Sequence, residues 1–79
     1  MDLHGHACLA LLEGMAAAGM VDRKTIEHIG TAFARHGNQL MLSGQPEEGH
    51  ALLTIAEATL PLHDRLEADE TRRLREPVN

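Results

Sequence analysis

Aromatic residues are almost missing from this sequence: Phe33 stands alone among 79 residues, with no Trp or Tyr. Aromatic rings supply the largest buried area per side chain, so a core here has to be built from Leu, Ile, Met and Ala. Cysteine is as scarce. The single Cys8 excludes an internal disulfide, the usual staple of so short a chain. No run approaches the ~20 consecutive apolar residues that span a membrane. The start, Met1-Asp2-Leu3-His4, lacks the basic segment of a secretory signal, so the reducing cytoplasm is the expected compartment. Basic residues are outnumbered: 7 Lys and Arg face 12 Asp and Glu, a formal charge of −5. Net negative charge repels phosphate backbones and anionic lipid, which disfavours nucleic acid and membranes as partners. Strand signals are absent too, with two Val, no Asn-Gly or Asp-Gly turn and no sustained apolar/polar alternation.

What remains is rich in Ala, Leu, Glu, Met and Arg, all good helix formers, and its 43% apolar content is too high for disorder. The pattern predicts an all-α single domain of three helices. The first runs from about 3 to 18, with Cys8, Leu11, Leu12, Met15 and Ala18 at the spacing of one buried stripe and Gly19 as its stop. Gly14 inside it marks either a close helix contact or the weakest of the three helices. The second runs from about 22 to 43, opened by Asp22 as N-cap and stopped by Gly44. Its stripe is Ile26, Ile29, Phe33 and Leu40, with Gly30 and Gly37 on the same side. The third runs from about 46 to 75, with Pro46 in the first turn and Glu47 and Glu48 at the positive helix end. It carries two stripes: Leu52, Ile55, Thr59, Leu62 and Leu66, and beside it Leu53, Ala56 and Leu60. Pro61 removes one backbone hydrogen bond and is expected to kink this helix. From Glu67 onward the chain is nearly all charged and reads as a solvated tail, frayed over 76–79.

From about 30 to 61 the spacing resembles a tetratricopeptide repeat, a hairpin of two antiparallel helices with bulky, small and proline residues at fixed offsets. Phe33 falls at the bulky position of the first helix, Gly37 at the small residue that lets the helices close, and Leu40 at the next large one. Gly44 sits at the turn. Gly49 faces back across the pair, Leu53 and Ala56 match the large and small positions of the second helix, and Pro61 matches the terminal proline. The sequence departs from the pattern at His36, where a leucine-like residue is usual, and at Gly49, where alanine is usual. The resemblance covers about 32 residues without a second copy. It implies a protein-interaction role. A lone repeat cannot bury both faces, so the flanking helices or a second chain must cover it.

Few residues point to chemistry. His4, His6 and Cys8 are suitable ligands for zinc, copper or nickel, and in an extended segment all three share a face. In a helix His6 points away from the other two. A nucleophile needs a base and an orienting group, and nothing completes the pair that Cys8 would start. No Gly-rich phosphate loop occurs, so no enzyme is expected. Residues 16–29 loosely resemble a helix-turn-helix whose second helix opens Arg23-Lys24-Thr25, but the turn is one residue longer than the usual spacing and only Arg23, Lys24 and Arg35 are basic. The expected protein is therefore a cofactor-free interaction module: an adaptor, small chaperone or regulator of a protein partner. It completes its core as a homodimeric helical bundle. Its expected binding surface is a groove beside Gly30, Phe33, Gly37 and Leu40, edged by Arg35, His36 and Gln39. The alternatives are a DNA-binding regulator and a metal-binding protein using His4, His6 and Cys8.

Overall fold

The computed structural model describes residues 2–75. It is all-α: four helices and no strand among the described residues. They are α1 (Leu3–Ala17), α2 (Arg23–Leu42), α3 (Pro46–Ala58) and α4 (Leu60–Arg75). The frayed end expected over 76–79 lies outside the described residues.

Each helix boundary has a local chemical cause. The Asp2 carboxylate accepts from the Gly5 N–H at 2.8 Å, so α1 has a true N-cap. Asp22 does the same for α2, accepting from the Thr25 N–H at 2.9 Å and the Thr25 hydroxyl at 2.8 Å. These donors hold the Asp22 carboxyl below its ordinary pKa, with the Thr25 N–H the larger cause. Both α1 and α2 end in a Schellman turn. Gly19 and Gly44 take φ of 73° and 82°, and the next residues donate back at 2.9 Å, Met20 to the Met15 carbonyl and Gln45 to the Leu40 carbonyl.

The expected third helix is divided. Thr59 separates α3 from α4 two residues before Pro61. Its N–H is shared between the carbonyls of Ile55 and Ala56, both at 3.2 Å, and its buried hydroxyl donates to Ala56 at 2.7 Å. Pro61 has no N–H to offer Glu57, so the turn in front of it tightens around Thr59. The backbone nonetheless carries through, since the His63 N–H reaches the Thr59 carbonyl at 2.9 Å.

The α2/α3 hairpin is the most extensive pairing; α1 and α4 lean on it more lightly. Gly37 and Gly49 are its closest approach. A Cβ on Gly37 would stand 2.8 Å from the Gly49 carbonyl oxygen, and one on Gly49 would stand 2.6 Å from that of Gly37. At the far end Leu12 of α1, Ile26 of α2 and Leu62 of α4 form a small core, with Cys8, Ala16, Val21, Ile29 and Leu66 packed around it. The expected α1 stripe is corrected by this packing. Leu12 is buried and Cys8 and Met15 are half-buried, but Leu11 and Ala18 are exposed, and buried Gly5 takes their place on the inner face. Gly14 makes no close helix contact: nothing lies within 4 Å of where its Cβ would be.

The core is thin. Among the described residues only Leu12, Ile26, Ile55 and Leu62 are buried hydrophobics, and the molecule measures 57 × 22 × 16 Å. Its accessible surface of 5885 Å² exceeds by about 1,200 Å² the roughly 4,700 Å² of a compact chain of this mass.

Candidate partner-binding face

The expected groove along Gly30 and Gly37 is occupied from within the chain. At Gly37, α3 fills the space with the Gly49 backbone and Leu53, whose Cγ would be 2.9 Å from an added Cβ. At Gly30 the Thr59 hydroxyl stands where a Cβ would be 2.8 Å away. Both glycines therefore serve the intramolecular packing of α2; Gly37 is buried, while half-buried Gly30 also lines an open depression with Thr31, Ala34, Ala56 and Leu60. Leu40, half-buried, follows Gly37 by three residues and so falls on the same side of α2. Arg35 is exposed and does not edge that seam: it precedes Gly37 by two residues, which turns it roughly 200° around the helix.

An open surface lies to one side of the seam. Ile29, Ala32, Phe33 and His36 of α2, with Leu52 of α3, line a shallow apolar depression. Phe33, Ile29 and Leu52 are half-buried, Ala32 and His36 exposed. Exposed Gln39 follows His36 by three residues and so flanks the same side of α2. Of the expected partner-binding residues, the structure brings Phe33, His36 and Gln39 together on an accessible surface. Gly30 and Gly37 line the hairpin seam, Leu40 falls on the same side of α2 as Gly37, and Arg35 stands apart.

The metal candidates do not converge. The 3–17 segment is helical, so His4 and Cys8 lie one turn apart on one side while His6 points about 200° from His4. Among the described residues no three His, Cys, Asp or Glu side chains are placed to hold an ion. The extended arrangement that would join them is displaced by the Asp2 cap, which starts the helix immediately before the histidines.

A polar cluster on the other flank joins α2 to α4. His63 Nε2 lies 2.8 Å from Glu27 Oε1 and 3.9 Å from Glu67, and its Nδ1 lies 3.3 Å from Asp64. Arg23 bridges Glu27 at 3.1 Å and Glu70 at 3.2 Å. The hydrogen bond to Glu27, then that to Asp64, raises the His63 pKa above its ordinary value, and the same bond from His63 holds Glu27 below its own. Glu70 keeps the Arg23 guanidinium charged. Arg23, one of the three basic residues of the helix-turn-helix resemblance, is thus committed to two carboxylates. Sequence spacing contains part of this cluster, the i,i+4 pairs Arg23–Glu27 and His63–Glu67. The link between Glu27 and His63 spans 36 residues and has no local signature.

No helix among the described residues is long and apolar enough to cross a membrane. Comparison with protein-family models, curated proteins and solved structures finds no match, so the tetratricopeptide resemblance rests on its residues alone.

Proposed function

We propose that this protein is a non-catalytic interaction module, acting as a homodimer that docks a protein partner on the depression around Phe33 and His36. One observation carries the reading: the sole aromatic side chain is only half-buried and helps line an open apolar surface, while the four buried hydrophobics among the described residues make a thin core. Burial of an aromatic side chain in the core would have stabilised the fold by about 1.5–3 kcal/mol. Its position at the surface fits recognition, where aromatic residues are enriched. The depression is flanked by His36 and Gln39, so an apolar side chain of a partner can enter while polar groups fix its orientation.

Ala32→Glu tests this reading. Ala32 is exposed within the depression, and Glu is nearly as good a helix former as Ala, so the fold is retained. A partner isolated with the natural chain should bind Ala32→Glu at least about tenfold more weakly, the effect of losing 1.4 kcal/mol. Equal binding by Ala32→Glu and by the natural chain would sink the assignment of this face.

A further inference from the structure

The first helix is apolar around most of its circumference, its polar side chains being the exposed His4, His6 and Glu13. From Leu3 to Ala18 the only Asp, Glu, Lys or Arg is Glu13. A surface helix normally turns a charged or polar face to water, and one with so few polar residues calls for cover on more than one side. Here α1 is covered on one side only, by the core around Leu12. Its outer side carries Leu3, Ala7, Ala10, Leu11, Gly14 and Ala18, all exposed, Leu3 at 81% and Leu11 at 65%. These residues recur at three- and four-residue spacing and so form one continuous strip along the helix.

We infer that this strip is the homodimer interface, with α1 of one copy packed antiparallel on α1 of a second copy about a two-fold axis between Ala10 and Leu11. The inference rests on the homodimer reading proposed above and names its surface. Three features select a second copy as the occupant. Reversed about the point between Ala10 and Leu11, the strip is complementary to itself: Leu3 falls opposite Ala18, Ala7 opposite Gly14, and Leu11 opposite Ala10. Each leucine meets a small residue, which is what close packing of two helices requires, and identity of the two surfaces is what a two-fold contact imposes. The antiparallel arrangement also sets the positive end of each helix beside the negative end of the other. Finally, the surplus surface of about 1,200 Å² suffices for one side, about 800 Å², of a standard interface. The charged outer side of α4 makes up part of that surplus and stays in water.

Sedimentation equilibrium of the full chain, together with oxidative cross-linking of single-cysteine variants in a Cys8→Ser background, tests the inference. A dimer is expected. Ala10→Cys, next to the axis, should link to its counterpart, whereas Leu3→Cys should not, because antiparallel packing holds the two copies of residue 3 about 22 Å apart. Gly14→Glu faces open space within the chain, so helix content should be kept while dimer affinity falls at least tenfold. A dimer linked at both positions would mean parallel packing and overturn the arrangement. A dimer linked at neither, and indifferent to Gly14→Glu, would leave the homodimer reading standing on another face and remove α1 from it. A monomer at all concentrations would overturn both.

Discussion

Gly37 and Gly49 turn their missing side chains toward each other, and what their backbones touch decides how each site tolerates change. An added methyl on Gly49 would press on the Gly37 carbonyl oxygen and on the backbone nitrogen of Met41 at 2.9 Å. Neither backbone atom can swing aside as a side-chain end would. Gly49→Ala is therefore expected to destabilise the hairpin by about 1–3 kcal/mol, although alanine is the better helix former. Urea denaturation followed by circular dichroism measures this, and an unchanged midpoint would mean that α2 and α3 do not approach so closely. At this scale the sequence was legible where a residue type has a narrow use. Asp22 as a cap and Gly19 and Gly44 as stops could be read from the residues themselves, while the closing role of Gly37 and Gly49 was implied by the tetratricopeptide resemblance. Leu11 could not. It sits on the α1 pattern as readily as Leu12, because in a helix with so few polar residues periodicity says little about which side is inward.

At the scale of elements, α4 is held to α2 by Leu62 and Leu66 in the core and by the cluster of His63, Glu27, Glu67, Arg23 and Glu70. His63 has a raised pKa in the fold, so it binds a proton more tightly folded than unfolded. Its contribution to stability is complete below its ordinary value near 6.5 and disappears as pH rises through the raised value. Glu27 has a lowered pKa, and its contribution is complete above the ordinary carboxylate range and disappears as pH falls through the lowered value. Thermal stability should accordingly peak between about pH 5 and 6.5 and decline toward pH 8. Melting curves at several pH values check this, and His63→Gln should flatten the decline on the alkaline side. A second expectation concerns the end of α4. Beyond Leu66 its residues are mostly exposed, with Arg72 and Asp69 paired within the helix, so few tertiary contacts protect its backbone. Amide hydrogens of 69–75 should exchange roughly a hundredfold or more faster than those of 29–40 in α2. Equal protection by hydrogen-exchange mass spectrometry would mean that the tail is covered in solution. The division of the third helix at Thr59 was only half legible, because Pro61 announces a disturbance without saying on which residue the turn tightens.

As a whole molecule the chain is drawn out. Its radius of gyration is 14.9 Å, against about 12 Å for a compact domain of 79 residues. A core this thin makes association and stability one problem: if two copies share α1, unfolding includes dissociation, and the melting temperature must rise with protein concentration. Melting temperatures constant from about 1 to 100 μM would argue for a self-sufficient monomer. The all-α class was legible from composition alone. The placement of the open surface was not, since Phe33, Ala32, His36 and Leu52 come together only when α2 and α3 have closed on Gly37 and Gly49. The contact of Gly30 with Thr59 reaches beyond this one sequence. A Cβ at 30 and the hydroxyl at 59 compete for the same space, 2.8 Å apart. Gly30→Ala and Thr59→Ala should each destabilise, and together they should cost less than the sum, a coupling that a double-mutant cycle measures. In descendants of this chain the two positions are then free to drift only as a pair: a side chain gained at 30 is tolerated where the hydroxyl at 59 has already been lost.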